Sequence, residues 1–349
     1  MFGKKKDKLP KDFEAQLGSL SLDELKALFD KYDVNAHGGY SKQTAIAYSE
    51  CPDDLTRWLV EQGADLSAVD THGYTPLHSR ARHWKGRAQV LLDLGADVDH
   101  GDGSVGTPLH AAADSFKPAA ARALIAHGAR VDALNDAGDT PLERALQICQ
   151  NMNIAHAAEL ADMLLAAGAK RTPKMQDYVA KIGTEFEFHR SNFDPETLDA
   201  ADAGLKKLYA LFGVAPVPPR LTYDGKSPIV APAGKWEDQH QALWELLVPS
   251  SGAAPTVQGE VIRASGRIHF ELYHNGGVNW DPHYREMAQA FPAYLASGVP
   301  LAPALLDEVR KLVASLKRDG EASRLCELAV AWVALNPNPI HLPKPAYDR

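Results

Sequence analysis

Glu260, Arg263, Arg267, Glu271 and His274 follow one another at intervals of three or four residues, so a helix would carry all five on one stripe about 80° wide. Carboxylates beside guanidinium groups can do acid–base work or hold an anion if burial shifts a carboxyl group toward neutrality. On that reading Glu260 is the acid or base, while Arg263, Arg267 and His274 clamp an anionic ligand. The other reading is intrahelical pairing of Glu260 with Arg263 and Arg267 with Glu271, each pair contributing about 0.2–0.5 kcal/mol. No motif with a defined mechanism accompanies the stripe. The chain has no phosphate loop, no dinucleotide fingerprint after a strand, no GxSxG elbow and no HExxH helix. His274 and His283 straddle a helix break, a poor spacing for metal ligands. No catalytic residue, metal or cofactor is expected.

The element that must carry this stripe runs from Thr256 to His274. Val257, Val261, Ala264, Ile268 and Leu272 form one apolar arc, and Ile262, Phe270 and Tyr273 form another on nearly the opposite side. A helix apolar on two sides belongs at the centre of its domain, so its charged stripe must meet a cleft, a partner or buried countercharges. Gly259 and Gly266 would let a neighbouring helix approach closely. That neighbour is announced by Trp236, His240, Leu243, Trp244 and Leu247, a second apolar stripe in which His240 is expected to be a core histidine with a satisfied ring nitrogen. Asn275-Gly276-Gly277 ends the central helix, and further helices are expected over 283–296, 302–318 and 321–335. Asp194-Pro195-Glu196 starts another. Val214 to Ala233 and the residues beyond Asn336 are too rich in proline for regular elements.

The first half is organised differently. TPLH at Thr75–His78, TPLH at Thr107–His110 and TPLE at Thr140–Glu143 recur at spacings of 32 and 33 residues. In step with them come Gly63-Ala64-Asp65, Gly95-Ala96-Asp97, Gly128-Ala129-Arg130 and Gly168-Ala169-Lys170. Threonine is a good N-cap and proline fits the first helical position, so each TP starts a helix; each glycine ends one in the left-handed conformation. The first unit is degraded, with Thr44-Ala45-Ile46-Ala47 in place of TPLH, and Lys11 to His37 is expected to be a cap containing a lone outer helix. The fourth unit carries seven extra residues within 147–157, because Thr140 to Gly168 spans 28 positions against 21 from Thr107 to Gly128.

These motifs in register resemble the ankyrin-repeat family over about residues 11–172. The resemblance implies an all-α fold, a solenoid of helix-turn-helix repeats with finger loops, here followed by an α-helical domain. It also implies that fingers and inner helices bind another protein. On this chain those positions are His72, Tyr74, Arg82, His83, Trp84, Asp102, Ser104, Val105, Asp114, Ser115, Phe116 and Lys117. Trp84 and Phe116 stand where the family usually has glycine or a polar residue; they either anchor a partner or pack onto neighbouring parts of the chain. Arg80 replaces a small alanine, and either reaches the inner surface or pairs with an acid of a neighbouring unit. His78 and His110 match the family's structural histidine. The segment Val257-Gln258-Gly259-Glu260 through Arg267, with Asn275-Gly276-Gly277, is similar to helical regions of bacterial proteins to which no activity attaches.

The expected division is therefore a disordered basic start over 1–10, a cap and four repeats over 11–172, and a helical connection over 173–213. A proline-rich loop over 214–233, an α-helical domain over 234–336 and a proline-rich tail over 337–349 follow. The net charge of −8 is spread over both halves, with 19 basic and 24 acidic residues through Arg171 and 18 and 21 beyond it, which speaks against nucleic acid. Three cysteines without a CxxC pair fit a reducing cytoplasm, not a disulfide framework. No apolar run approaches the roughly 20 residues of a membrane span, and the lysines of the first eleven residues precede no apolar segment of the kind a secretion signal needs. The function expected is non-enzymatic protein binding, as an adaptor or as an immunity protein that neutralises a toxin, with an enzyme or anion pocket on the Glu260–His274 stripe as the alternative.

Overall fold

The computed structural model describes residues 5–101, 103–221, 223–319, 321–345 and 347. The chain divides into two compact units, the first reaching Phe186 and including Phe193–Val217, the second made of Glu187–Asn192 and the residues from Pro218 on. Among the described residues, no helix is long and apolar enough to cross a membrane.

The first unit opens with a small sheet. β1 (Lys6–Lys8) pairs parallel with β2 (Tyr32–Gly38), which pairs antiparallel with β3 (Gln43–Thr44). The expectation of a disordered start over 1–10 is corrected for residues 5–10, residues 1–4 lying outside the described residues: Lys6 N–H donates to Lys31 O, Leu9 N–H donates to His37 O, and Leu9 is buried. Lys5 Nζ adds a bond to Phe29 O (2.6 Å), and Lys6 Nζ lies 5.4 Å from the Tyr32 ring centroid. Nor is the cap a lone helix, because α1 (Phe13–Ser19) and α2 (Leu22–Leu28) precede the hairpin, and Phe13 meets Phe29 and Tyr48 edge to face.

Helix pairs then stack. The degraded first repeat keeps only a single 3-10 turn over Ala45–Ala47 before α3 (Asp53–Glu61). The next repeats are α4 (Pro76–Arg82) with α5 (Ala88–Asp93), α6 (Pro108–Asp114) with α7 (Pro118–Ala126), and α8 (Pro141–Gln147) with α9 (Ile154–Ala166). The extra residues of the fourth repeat form a 3-10 turn at Asn151–Asn153 and lengthen its outer helix. Gly63, Gly95, Gly128 and Gly168 all hold φ between +86° and +98°, the left-handed exit that a side chain disfavours.

A repeating bond pattern ties each unit to the next. Thr75 N–H donates to His78 Nδ1 (3.3 Å), and His78 Nε2 reaches Gly106 O (3.1 Å) just ahead of the next TP. His110 does the same between Thr107 N–H (3.0 Å) and Asp139 O (3.1 Å). In the fourth unit Glu143 replaces the imidazole, accepting from Thr140 N–H (3.1 Å) and from Thr172 Oγ1 (2.7 Å). Thr172-Pro173 is thus a fourth TP, 32 residues after Thr140. The repeat does not stop at Arg171: α10 (Pro173–His189) begins there, and α11 (Pro195–Phe212) packs on α9, so the stretch read as a connection extends the stack.

The second unit consists of α12 (Trp236–Leu247), α13 (Val257–Tyr273), α14 (Pro282–Leu295), α15 (Pro303–Asp319) and α16 (Ala322–Leu335). α13 is central, packed by α12, α14 and α16. Both of its glycines mark close approaches: a Cβ on Gly266 would lie 2.6 Å from Trp244 Cζ3, and one on Gly259 would lie 2.8 Å from Ala254 Cβ. The proline-rich tail is a strap rather than a loose end. Gln258 donates to Asn336 O and Asn338 O, Val257 N–H donates to Ile340 O, Ile229 N–H donates to Pro337 O, and Tyr347 is buried.

Candidate functional site

On the repeat stack the sequence-selected residues fall into exposed and buried sets. The turn between α4 and α5 projects Trp84, which is 72% exposed. His83 stacks against its ring at 6.2 Å, and Lys85 Nζ sits 4.8 Å from the ring centroid while pairing with Glu50 at 2.9 Å. Gly86 makes this turn feasible, because any Cβ there would lie 1.8 Å from Arg80 O. Arg82 lies over the Tyr74 ring at 4.7 Å, beside exposed His72. In the next repeat Ser104 is exposed, Val105 and Lys117 are half-buried, and Asp114 accepts from Arg144 at 3.1 Å. Asp102 lies outside the described residues.

Two expectations on this face are corrected. Phe116 is no exposed anchor: it is buried, with φ +52°, at the left-handed exit of α6, where Lys117 N–H bonds back to Ala112 O. The site is one that glycine usually fills, and here the left-handed turn directs the ring into the core. Arg80 neither reaches the surface nor pairs with an acid. Fully buried, it donates to Ile46 O (2.8 Å), Cys51 O (3.3 Å) and Thr56 Oγ1 (2.7 Å). The first repeat supplies a 3-10 turn where its neighbours have an inner helix, and the Arg80 guanidinium satisfies acceptors there that a longer helix would have used.

In the second unit the Glu260–His274 stripe divides in two. Arg263 grips Glu260 with two bonds of 2.8 and 2.6 Å, both residues being almost fully buried. Ala254 N–H (2.9 Å) and the Tyr347 hydroxyl (2.7 Å) also donate to Glu260, and Tyr294 meets Tyr347 at 3.0 Å. Burial and the neighbouring Glu260 carboxylate push the Tyr347 phenol well above its ordinary range. This end is closed by side chains of the chain itself, so Glu260 and Arg263 have no access to a ligand and the acid–base reading of Glu260 does not hold. His274 caps the other end, exposed and stacked on Phe270 at 5.2 Å.

Between these ends the stripe opens. Arg267 and Glu271 line a cavity of about 610 Å³ together with Trp236, His240, Trp244, His269, Phe270 and Tyr284, and with Asn275 and Asn279 beyond the helix end. Glu271 accepts from Asn275 Nδ2 (2.9 Å) and Asn279 N–H (2.5 Å), which fastens the loop after α13. His240 Nε2 meets Ser265 Oγ at 3.0 Å, the distance of a serine–histidine dyad. The serine is fully buried and its hydroxyl donates within its own helix to Val261 O at 2.9 Å, so it presents no nucleophile. Burial lowers His240 to about 4 and raises the Cys326 thiol, also in the lining, to about 12. Both groups are neutral near pH 7. Among the described residues, no group of three His, Cys, Asp or Glu side chains is placed to hold a metal ion.

Residues 109–165 match a family model described as ankyrin repeats in many copies. Residues 109–165 are ankyrin repeats. Curated proteins give no match to the chain. Ankyrin repeats are in general protein–protein interaction modules; here α4 and α6 expose only Arg82 and Asp114, and the other exposed residues lie mainly on the turns and on outer helices, among them Gln89, Arg122 and Glu159. What the sequence reading missed has identifiable signals. Thr172-Pro173 kept the ankyrin period but is followed by Lys174-Met175, without the Leu-His that made the other copies conspicuous. The cavity was hidden because Trp236, His240 and Trp244 read as a core stripe; Gly266 was the only hint that their rings would lie along a neighbouring helix.

Proposed function

We propose that this chain is a non-enzymatic protein-binding protein whose ankyrin domain holds a protein partner on the face bearing His72, Tyr74, Arg82, His83 and Trp84. The observation that carries the reading is Trp84. A tryptophan 72% exposed, propped by His83 and Lys85 on a turn that only glycine at position 86 permits, presents a large rigid apolar surface at low entropic cost. Arg82 over Tyr74 adds a pre-oriented guanidinium, the other side chain enriched at binding hot spots. Adaptor and immunity roles both fit such a face, and the helical unit extends the bound surface or acts on its own ligand. Cytoplasmic residence fits the unpaired cysteines.

The test is affinity purification from the source organism, identification of the retained protein, and titration of that protein with wild type and with Trp84→Ala. The account expects the dissociation constant to rise at least about tenfold in the variant, the usual scale for losing a central aromatic anchor. An unchanged constant would remove Trp84 from the interface and with it this proposal.

A further inference from the structure

The cavity in the helical unit has the size of a small-molecule site, since such sites span about 300–1,000 Å³ and combine aromatic walls with a few placed polar groups. Its volume is about 610 Å³. Rings arrive from three helices: Trp236 and Trp244 from α12, Phe270 from α13 and Tyr284 from α14. Flat faces of this kind favour a flat ligand, because offset stacking adds about 0.5–1.5 kcal/mol beyond the area buried.

Charge then narrows the class. The ionised groups of the lining are one cation, Arg267, and two carboxylates, Glu237 and Glu271, so there is no excess of positive charge to hold a phosphate or a carboxylate. The guanidinium of Arg267 equally opposes a cationic guest. His240 and His269 are held toward the neutral form by burial, and each is close enough to another ring to disfavour its charging: His240 by His269, and His269 by His274. His240 Nε2–H is used on Ser265 Oγ, which leaves its other ring nitrogen as an acceptor; a neutral His269 carries one donor and one acceptor, and the amides of Gln241 and Asn275 offer both kinds. The polar part of the lining is therefore mixed in hydrogen-bonding character and close to balanced in charge.

We infer that this cavity binds an uncharged, planar nitrogen heterocycle, stacked on the aromatic walls and read along its edge by the amide and imidazole groups. Purine-like and indole-like rings share that chemistry. Binding, not turnover, is the role: the Cys326 thiol is protonated, and the Ser265 hydroxyl is sealed within its helix. The site is independent of the ankyrin face, so a partner protein that fails to appear does not bear on it.

Calorimetric titration of the full chain with adenine and with indole tests this, with benzoate as the anionic and tetramethylammonium as the cationic control. At least one heterocycle is expected to bind saturably with a dissociation constant below about 1 mM, and each charged control at least about tenfold more weakly. Phe270→Ala and Gln241→Ala remove exposed side chains, so the helical signal by circular dichroism should be unaltered while heterocycle affinity falls about tenfold. Absence of saturable binding of either heterocycle, tighter binding of benzoate or tetramethylammonium, or affinity unmoved by Phe270→Ala would each overturn the inference.

Discussion

Arg80 shows how far a single residue's role depends on its neighbour's defect. The ankyrin family prefers alanine at this position, so a substitution toward the family residue would ordinarily be expected to stabilise. Here Arg80→Ala is predicted to destabilise the stack by about 3 kcal/mol, because it leaves Ile46 O, Cys51 O and Thr56 Oγ1 without their buried donor and opens a cavity. Urea unfolding followed by far-ultraviolet circular dichroism measures it, and a gain in midpoint would refute the assignment. His78 makes a second prediction. Burial lowers its folded-state value from 6.5 to about 4, so the unfolded chain binds the proton first as pH falls. Its contribution is complete above about pH 6.5, declines as pH drops toward 4 and is constant below; at pH 5 the loss is about 2 kcal/mol. Comparing urea midpoints at pH 7.5 and 5 for wild type and His78→Gln should show a smaller pH effect in the variant.

At the scale of elements, the sequence announced what periodicity encodes and concealed what depends on distant partners. The start of each TP helix and the span of α13 were legible, because caps and apolar spacing are local. β1 was not, since Lys6–Lys8 carries no strand signal of its own and is held by the β2 edge, by buried Leu9 and by Lys5 Nζ donating to Phe29 O. Phe116 misled for a similar reason: its exposure follows from the sign of φ, which a phenylalanine in sequence does not declare. The tail looked unstructured because strap residues bond to Val257 and Gln258, about 80 positions away. The approach of α12 to α13 gives the prediction at this scale. Alanine inside a helix normally gains about 1 kcal/mol over glycine, but Gly266→Ala is expected to lose about 1–2 kcal/mol net, because its Cβ would lie 2.6 Å from Trp244 Cζ3. A raised urea midpoint with an unchanged near-ultraviolet tryptophan signal would contradict that packing.

For the whole molecule, we propose one recognition surface on each of the two units. The repeat stack, extended through α10 and α11, uses its TPLH histidines for internal bonds; of the departures from the repeat, Arg80 and Phe116 are buried and Trp84 faces solvent. The helical unit buries one half of its charged stripe under its own tail and opens the other half into a ring-lined cavity. The proposal that the Trp84 face holds a protein partner is tested most directly by amide hydrogen exchange on the complex with the captured partner protein. New protection is expected in the segment from His72 to Arg87 and in the following finger and turn at 103–117; protection confined to residues beyond Pro218, with the Trp84 turn exchanging as in the free chain, would contradict it.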